Sequence, residues 1–224
     1  MGALFVTATG TDIGKTFVTA GIVRALRRRD RAVAALKPIM SGFSEADVTT
    51  SDAGVLLRAL GRPVDMAEVA RIAPWRFVAP LSPDMAARRE GRTIAFEELL
   101  DFTRGALAAA EDMVLIEGVG GVMVPLNETR TVADWMAALR VPAVLVAGSY
   151  LGTISHTLTA LEALRQRSIP VAAILISETP ESAVDLDETQ ATVSRFAAGS
   201  PVLILPRLTA GQEHPVFDRL VDLV

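Results

Sequence analysis

The chain has 224 residues, 50% hydrophobic, 21% charged and 5% aromatic, with a formal net charge of −4. It has no cysteine and two histidines, His156 and His214, which excludes disulfides, thiolate nucleophiles, iron–sulfur clusters and any thiolate or poly-imidazole metal site. The faintly acidic balance argues against a nucleic-acid-binding face, the apolar content argues against disorder, and apolar runs of about eight residues (141–148, 169–176) are far short of the roughly 20 that a membrane helix needs.

The segment Ala3–Ala8 is apolar on consecutive positions and reads as a strand covered on both faces. Gly14–Arg29 follows with helical spacing (Val18, Ile22, Val23, Leu26) and ends in a basic cluster suited to a helix C-terminus. Ala32–Lys37 is a second strand. Ser51 is an N-cap for a helix Asp52–Leu60 that Gly61-Arg62-Pro63 stops. The stretch Pro74–Glu90 is irregular, with a short helix at Met85–Arg89. Met113–Glu117 is a third strand, and Thr131-x-x-Asp134 forms a capping box before Trp135–Leu139. Ala143–Ala147 is a strand, Ser155–Arg167 a helix carrying Leu158, Leu161 and Leu164, and Val171–Ile176 and Val202–Leu205 are the last strands. The final dozen residues form an amphipathic helix (Val216, Leu220, Val221). This alternation predicts one α/β domain over residues 1–224, a mostly parallel sheet with helices on both faces. No secretion signal or anchor is legible, so a cytoplasmic protein is expected.

In an open parallel sheet, ligands gather beyond the carboxyl ends of the strands. Beyond the first strand lies Ala8-Thr9-Gly10-Thr11-Asp12-Ile13-Gly14-Lys15-Thr16. Strand, glycine-rich loop and helix in that order make a phosphate cradle of converging N–H groups. Lys15 supplies a charge for the outer phosphates and Thr16 a hydroxyl for Mg²⁺. Thr9 stands where the strict pattern wants glycine, which makes this a variant loop. Glu117, ending a hydrophobic strand before Gly118–Gly121, is costly to leave unpaired; either a magnesium ion beside a nucleotide or a lysine at the sheet edge would satisfy it. Lys37 also ends a strand. Lys15 and Lys37 are the only lysines against 20 arginines, so both sites use a compact ammonium where arginine is the usual cation. Asp52 serves equally as a helix-dipole acid or as a metal ligand. Together these residues imply magnesium–nucleotide phosphoryl transfer and leave the acceptor open.

The order Gly14-Lys15-Thr16, Lys37-Pro38-x-x-Ser41-Gly42, Ser51-Asp52-Ala53, Phe77-x-x-Pro80-x-Ser82-Pro83, Glu117-Gly-x-Gly-Gly121, Ala133-Asp134-Trp135, Leu151-Gly152-x-Ile154-x-His156 and Pro206 resembles the dethiobiotin synthetase family across nearly the whole chain. The resemblance implies a P-loop NTPase-like three-layer α/β/α fold with a mainly parallel sheet of about seven strands. It implies a homodimer with the substrate site at the subunit interface. Its reaction is ATP-dependent carboxylation and ring closure of 7,8-diaminopelargonate with CO₂ or bicarbonate, through a carbamate and a carbamic–phosphoric anhydride.

By the same resemblance, Lys37, Lys15, Thr11 and Ser41 are catalytic. Asp12, Ile13, Gly14, Lys15, Thr16, Glu117, Gly118, Gly120, Ser177 and Pro206 surround ATP, and Thr16, Asp52 and Glu117 hold Mg²⁺. Thr11, Lys37, Ser41, Gly118 and Val119 face the diamine, while Leu151, Gly152 and Ser155 hold its carboxylate from the neighbouring subunit. Ala8, Ser155 and Ser177 depart from the family pattern. Ser177 stands where asparagine often reads adenine; one hydroxyl replaces an amide's donor and acceptor, which predicts relaxed triphosphate selectivity.

The other residues have plainer readings. His156 is expected as a packed helix histidine, His214 as a loop residue, Trp75 and Trp135 as packing, and Arg27–Arg31 as a solvated helix end. The competing functions are a P-loop nucleotide-switch ATPase of the partitioning or scaffold type and an amidotransferase-type ligase. The first wants a partner or a membrane helix, and the second a cysteine glutaminase that this chain lacks.

Overall fold

Residues 2–180, 182, 184–209 and 211–223 are described by the computed structural model. Six strands form the main sheet: β1 (Gly2–Ala8), β2 (Val33–Leu36), β5 (Met113–Glu117), β6 (Ala143–Ala147), β7 (Val171–Ser177) and β8 (Val202–Leu205). Their order is β2-β5-β1-β6-β7-β8 and every pairing is parallel. All five residues of β5 and of β6 are buried, as expected of strands covered on both faces. Strand order reverses about β1, with β5 on one flank and β6 on the other. That reversal opens a crevice beyond the carboxyl end of β1, the general binding place of such sheets.

Helices α1 (Lys15–Arg28), α2 (Asp52–Leu60) and α9 (Pro215–Val221) pack together. Elsewhere α5 (Phe96–Ala109) packs on α6 (Val132–Leu139) and α7 (Thr153–Gln166) on α8 (Leu186–Phe196). The core is anchored where Phe5 of β1 meets Trp135 of α6 edge to face, 4.8 Å between centroids. Trp135 is fully buried, and its indole N–H reaches Thr103 Oγ1 of α5 at 3.4 Å. Trp75 packs likewise on Phe102. Both tryptophans are packing residues.

Among the described residues the main sheet has six strands, not about seven. The chain leaves it at Lys37-Pro38 because Pro38 has no N–H to continue the β2 ladder. Lys37 N bonds Ile72 O instead. The next residues, β3 (Ile39–Ser41), pair with β4 (Trp75–Phe77) as a separate two-stranded sheet. Within the stretch expected to be irregular, α4 begins at Pro83 rather than Met85, a proline being well suited to a first helical turn. Helices α3 (Met66–Ile72), α5 and α8 were not foreseen from the sequence. Helix α7 begins at Thr153, two residues before expectation, because Gly152 turns left-handed (φ 97°) and opens it there. The terminal helix is α9; Val224 of the expected dozen lies outside the described residues.

Arg27–Arg31 is not simply solvated. Arg28 pairs with Glu213 and Asp218, Arg29 with Asp218 and Asp222, and Arg31 with Asp112. The Arg28 and Arg29 pairs tie the end of α1 to α9 and its flanks, and the Arg31 pair ties the following turn to the start of β5, though each exposed pair contributes only about 0–1 kcal/mol.

Candidate active site

The loop after β1 turns into α1 through two left-handed residues, Asp12 (φ 57°) and Gly14 (φ 94°). Gly14 is the N-cap of α1 without a capping side chain, so the first N–H groups of the helix remain open to an anion. A Cβ on Gly14 would also stand 3.3 Å from Ser177 Oγ at the end of β7. Lys15 opens the helix, is 7% exposed, and donates to Gly10 O at 2.9 Å. Burial, and then the charge of Lys37, bring its ammonium down to about 8.

The centre of the site joins four segments. Lys37 is 3% exposed. Its ammonium donates to Glu117 Oε1 at 2.7 Å and to Gly118 O at 2.9 Å, and lies 3.0 Å from Asp52 Oδ2. Thr16 Oγ1 donates to the same Glu117 Oε1 at 2.6 Å. Burial alone would lower the Lys37 ammonium, but Glu117 and Asp52 outweigh it and hold it above the ordinary lysine value. For Asp52, burial would raise the carboxyl, but Lys37 prevails and holds it below the usual range. Ser51 caps α2 through Gly54 N and so fixes Asp52 at the first turn.

Of the two readings of Glu117, the lysine partner is present, and it satisfies only one oxygen. Glu117 Oε2 is buried without a hydrogen-bond partner among the described residues. That orphan, beside the Thr16 hydroxyl and the Asp52 carboxylate, is a set of hard oxygen donors that fits Mg²⁺. No group of three or more His, Asp or Glu gathers among the described residues. A magnesium ion here would therefore depend on waters and phosphate for its other ligands.

Thr11, Asp12, Gly14, Lys15, Thr16, Lys37, Ser41, Asp52, Val119 and Gly120 line one cleft of about 480 Å³. A smaller hollow of about 210 Å³ shares Asp12 and Gly14 with it and adds Ile13, Ser177 and Pro206. Leu151, Gly152 and Ser155 are not brought there. They line a third, mostly apolar hollow of about 380 Å³ at the start of α7, where Leu151 is 82% exposed. Sequence reasoning missed Met40 and Phe43 in the first cleft and Glu178, Thr179 and Arg207 in the second. None belongs to a phosphate or metal motif; Met40 arrives on β3 and the others on loops, as where Glu178 Oε2 accepts from Arg207 N at 2.8 Å.

His156 is exposed rather than packed, and its Nδ1 bonds Tyr150 OH at 2.9 Å across the α7 entry. The apolar stripe of α7 lies on Ala160, Leu161 and Leu164, and position 156 falls outside it. His214 is the N-cap of α9, accepting from Val216 N at 3.3 Å.

A family model described as "AAA domain" matches residues 2–212. An ATP-dependent dethiobiotin synthetase from Acidiphilium cryptum (strain JF-5) is 50% identical over 202 residues, 90% of this chain and 91% of its own length. One from Caulobacter sp. (strain K31) is 47% identical over 225 residues, 100% of this chain and 96% of its own. Among solved structures, the septum site-determining protein MinD of Pyrococcus horikoshii OT3, complexed with Mg-ADP, has a TM-score of 0.53 at 15% identity, covering 100% of this chain and 86% of MinD. A ParA family ATPase from Chlorobium tepidum TLS has a TM-score of 0.53 at 16% identity, covering 92% of this chain and 84% of its own. Those two likenesses show the P-loop NTPase-like fold.

Proposed function

The chain belongs to the ATP-dependent dethiobiotin synthetase family, an enzyme family of biotin biosynthesis, and on that premise we propose that it carboxylates 7,8-diaminopelargonate and closes the ring in the cytoplasm. The observation that carries this reading is the Lys37–Glu117–Asp52–Thr16 cluster at the floor of the phosphate-loop cleft.

One amine of the diamine adds to CO₂ and releases a proton, giving a carbamate. A carbamate oxygen takes the terminal phosphoryl group of ATP, forming a carbamic–phosphoric anhydride and ADP. The second amine attacks the carbonyl carbon, expels phosphate and loses a proton, which closes the cyclic urea. Little covalent chemistry falls to the protein; its work is positioning and charge stabilisation. The open N–H groups at the start of α1 and Lys15 hold the phosphates. Lys37 opposes the negative charge that builds on the transferred group. Thr11 and Ser41 offer hydroxyls from either side of the cleft, and Gly118 and Val119 lie along the diamine. Thr16, Asp52 and Glu117 are the residues that would hold Mg²⁺, which when bound neutralises phosphate charge. The Ser177–Pro206 hollow receives the base.

Leu151, Gly152 and Ser155 sit apart from Lys37 within one chain. Their exposed loop at the α7 N-terminus suits a carboxylate presented by a second copy, and supports a homodimer with shared sites. The nucleotide-switch alternative is not favoured, because its solved likenesses are 15–16% identical whereas dethiobiotin synthetases reach 50%.

The test is fixation of labelled bicarbonate with diamine, ATP and Mg²⁺. Labelled dethiobiotin with one ADP per product is expected; ATP turnover independent of the diamine, with no product, overturns the reading.

A further inference from the structure

An ammonium has three N–H donors and no acceptor. Two donors of Lys37 go to Glu117 Oε1 (2.7 Å) and Gly118 O (2.9 Å), and the ammonium is ion-paired with Asp52 Oδ2 at 3.0 Å. The ammonium is 3% exposed, so water offers no fourth partner. In this arrangement the lysine faces two carboxylates and a carbonyl, and its donors are turned to them rather than to a substrate. The two carboxylates that hold it are the same two that, with Thr16, form the oxygen set suited to a divalent cation. Thr16 Oγ1 likewise spends its proton on Glu117 Oε1. The two ammonium groups, Lys15 and Lys37, already offset the two carboxylates Asp52 and Glu117, so a divalent ion arriving alone meets positive charge at its own seat.

We infer that Lys37 is the resident cation between these two carboxylates and is exchanged out of that seat when a metal and a polyphosphate enter together, so that its donors are released to the acceptor only once the nucleotide is in place. The anionic phosphates supply the charge that lets metal and ammonium occupy one cleft. This deepens the reading above, since it rests on the same site, and it concerns a movement of Lys37 rather than the reaction itself.

Two measurements test it without turnover. Mn²⁺ alone, followed by its electron paramagnetic resonance signal, should bind the wild-type chain weakly and Lys37→Met at least about tenfold more tightly, because a unit charge a few ångströms away has been removed. Equal affinities overturn the exchange. Should Lys37→Met fail to fold, ¹³Cε-lysine labelling of the wild-type chain gives two side-chain signals, assigned through Lys37→Arg. ADP with EDTA should move the Lys15 signal only, and ADP with Mg²⁺ should also move Lys37. A Lys37 signal that follows ADP without metal, or stays still with both, overturns the inference. Either result stands whether or not dethiobiotin is formed, so this exchange and the proposed reaction fail separately.

Discussion

Lys37 and Glu117 lie 80 residues apart in the chain and meet at 2.7 Å, each delivered by the end of a different strand. Both are buried, so removing one partner strands the other's charge. Glu117→Gln should lower stability by about 3 kcal/mol in urea unfolding. Lys37 is held above its ordinary value, so its share of the stabilisation is fully present below the unfolded lysine pKa of 10.5 and disappears only as pH rises past the still higher folded value. A Glu117→Gln loss under about 1 kcal/mol at neutral pH contradicts the pairing.

Lys37→Ala should reduce turnover by at least about a hundredfold while changing nucleotide affinity less than tenfold, because its charge acts on the group in transfer. Lys15→Ala should weaken both. Single-turnover rates set beside ADP titrations separate the two patterns.

Asp134 closes the capping box of α6: its Oδ2 accepts from Thr131 N and Oγ1, both at 2.8 Å, and its Oδ1 accepts from Arg167 Nε at 3.1 Å. Burial would raise this carboxyl, but those bonds prevail and hold it below the usual range. A depressed acid stabilises the fold above its unfolded pKa and ceases to do so as pH falls through the folded value. Asp134→Asn should cost about 1 kcal/mol at pH 7, and the gap between variant and wild type should narrow below about pH 4. A gap independent of pH from 3 to 7 would show that the carboxylate charge is idle.

Gly21 of α1 faces α9 so closely that a Cβ would lie 2.2 Å from the Phe217 ring. Gly21→Ala gains about 1 kcal/mol of helix propensity, but overpacking of about 1–3 kcal/mol outweighs it. The variant should melt lower, and Phe217→Leu in the same chain should return part of the loss, which a double-mutant cycle reads directly.

Ser177 lines the smaller hollow, the proposed seat of the base, with a single hydroxyl. Ser177→Asn should raise the preference for ATP over other triphosphates about tenfold, the worth of one added hydrogen bond near 1.4 kcal/mol. Competition between paired triphosphates gives the ratio; an unchanged ratio removes Ser177 from base reading.

The strands of the main sheet were legible because each is an unbroken apolar run, and Thr131-x-x-Asp134 because a capping box is local chemistry. The phosphate loop and the two strand-end lysines were legible as residue types. What joins them was not: that Lys37 would reach Glu117, Gly118 and Asp52 together depends on β2 and β5 being neighbours and on Pro38 diverting the chain toward α2. Helix α5 escaped notice because only Leu99, Leu100 and Thr103 of its 14 residues are buried, a narrow stripe for periodicity to detect. His156 was misjudged because burial on α7 is set by its neighbours, and Tyr150 reaches it from outside.

Lys15 and Lys37 are both interior, so the positive charge on the outer surface is carried by guanidinium groups. Acylating reagents and amine-coupling cross-linkers, the routine means of tagging a protein or trapping a pair of subunits, find no side-chain amine outside the cleft. Carboxylate- or arginine-directed chemistry is required to map the exterior.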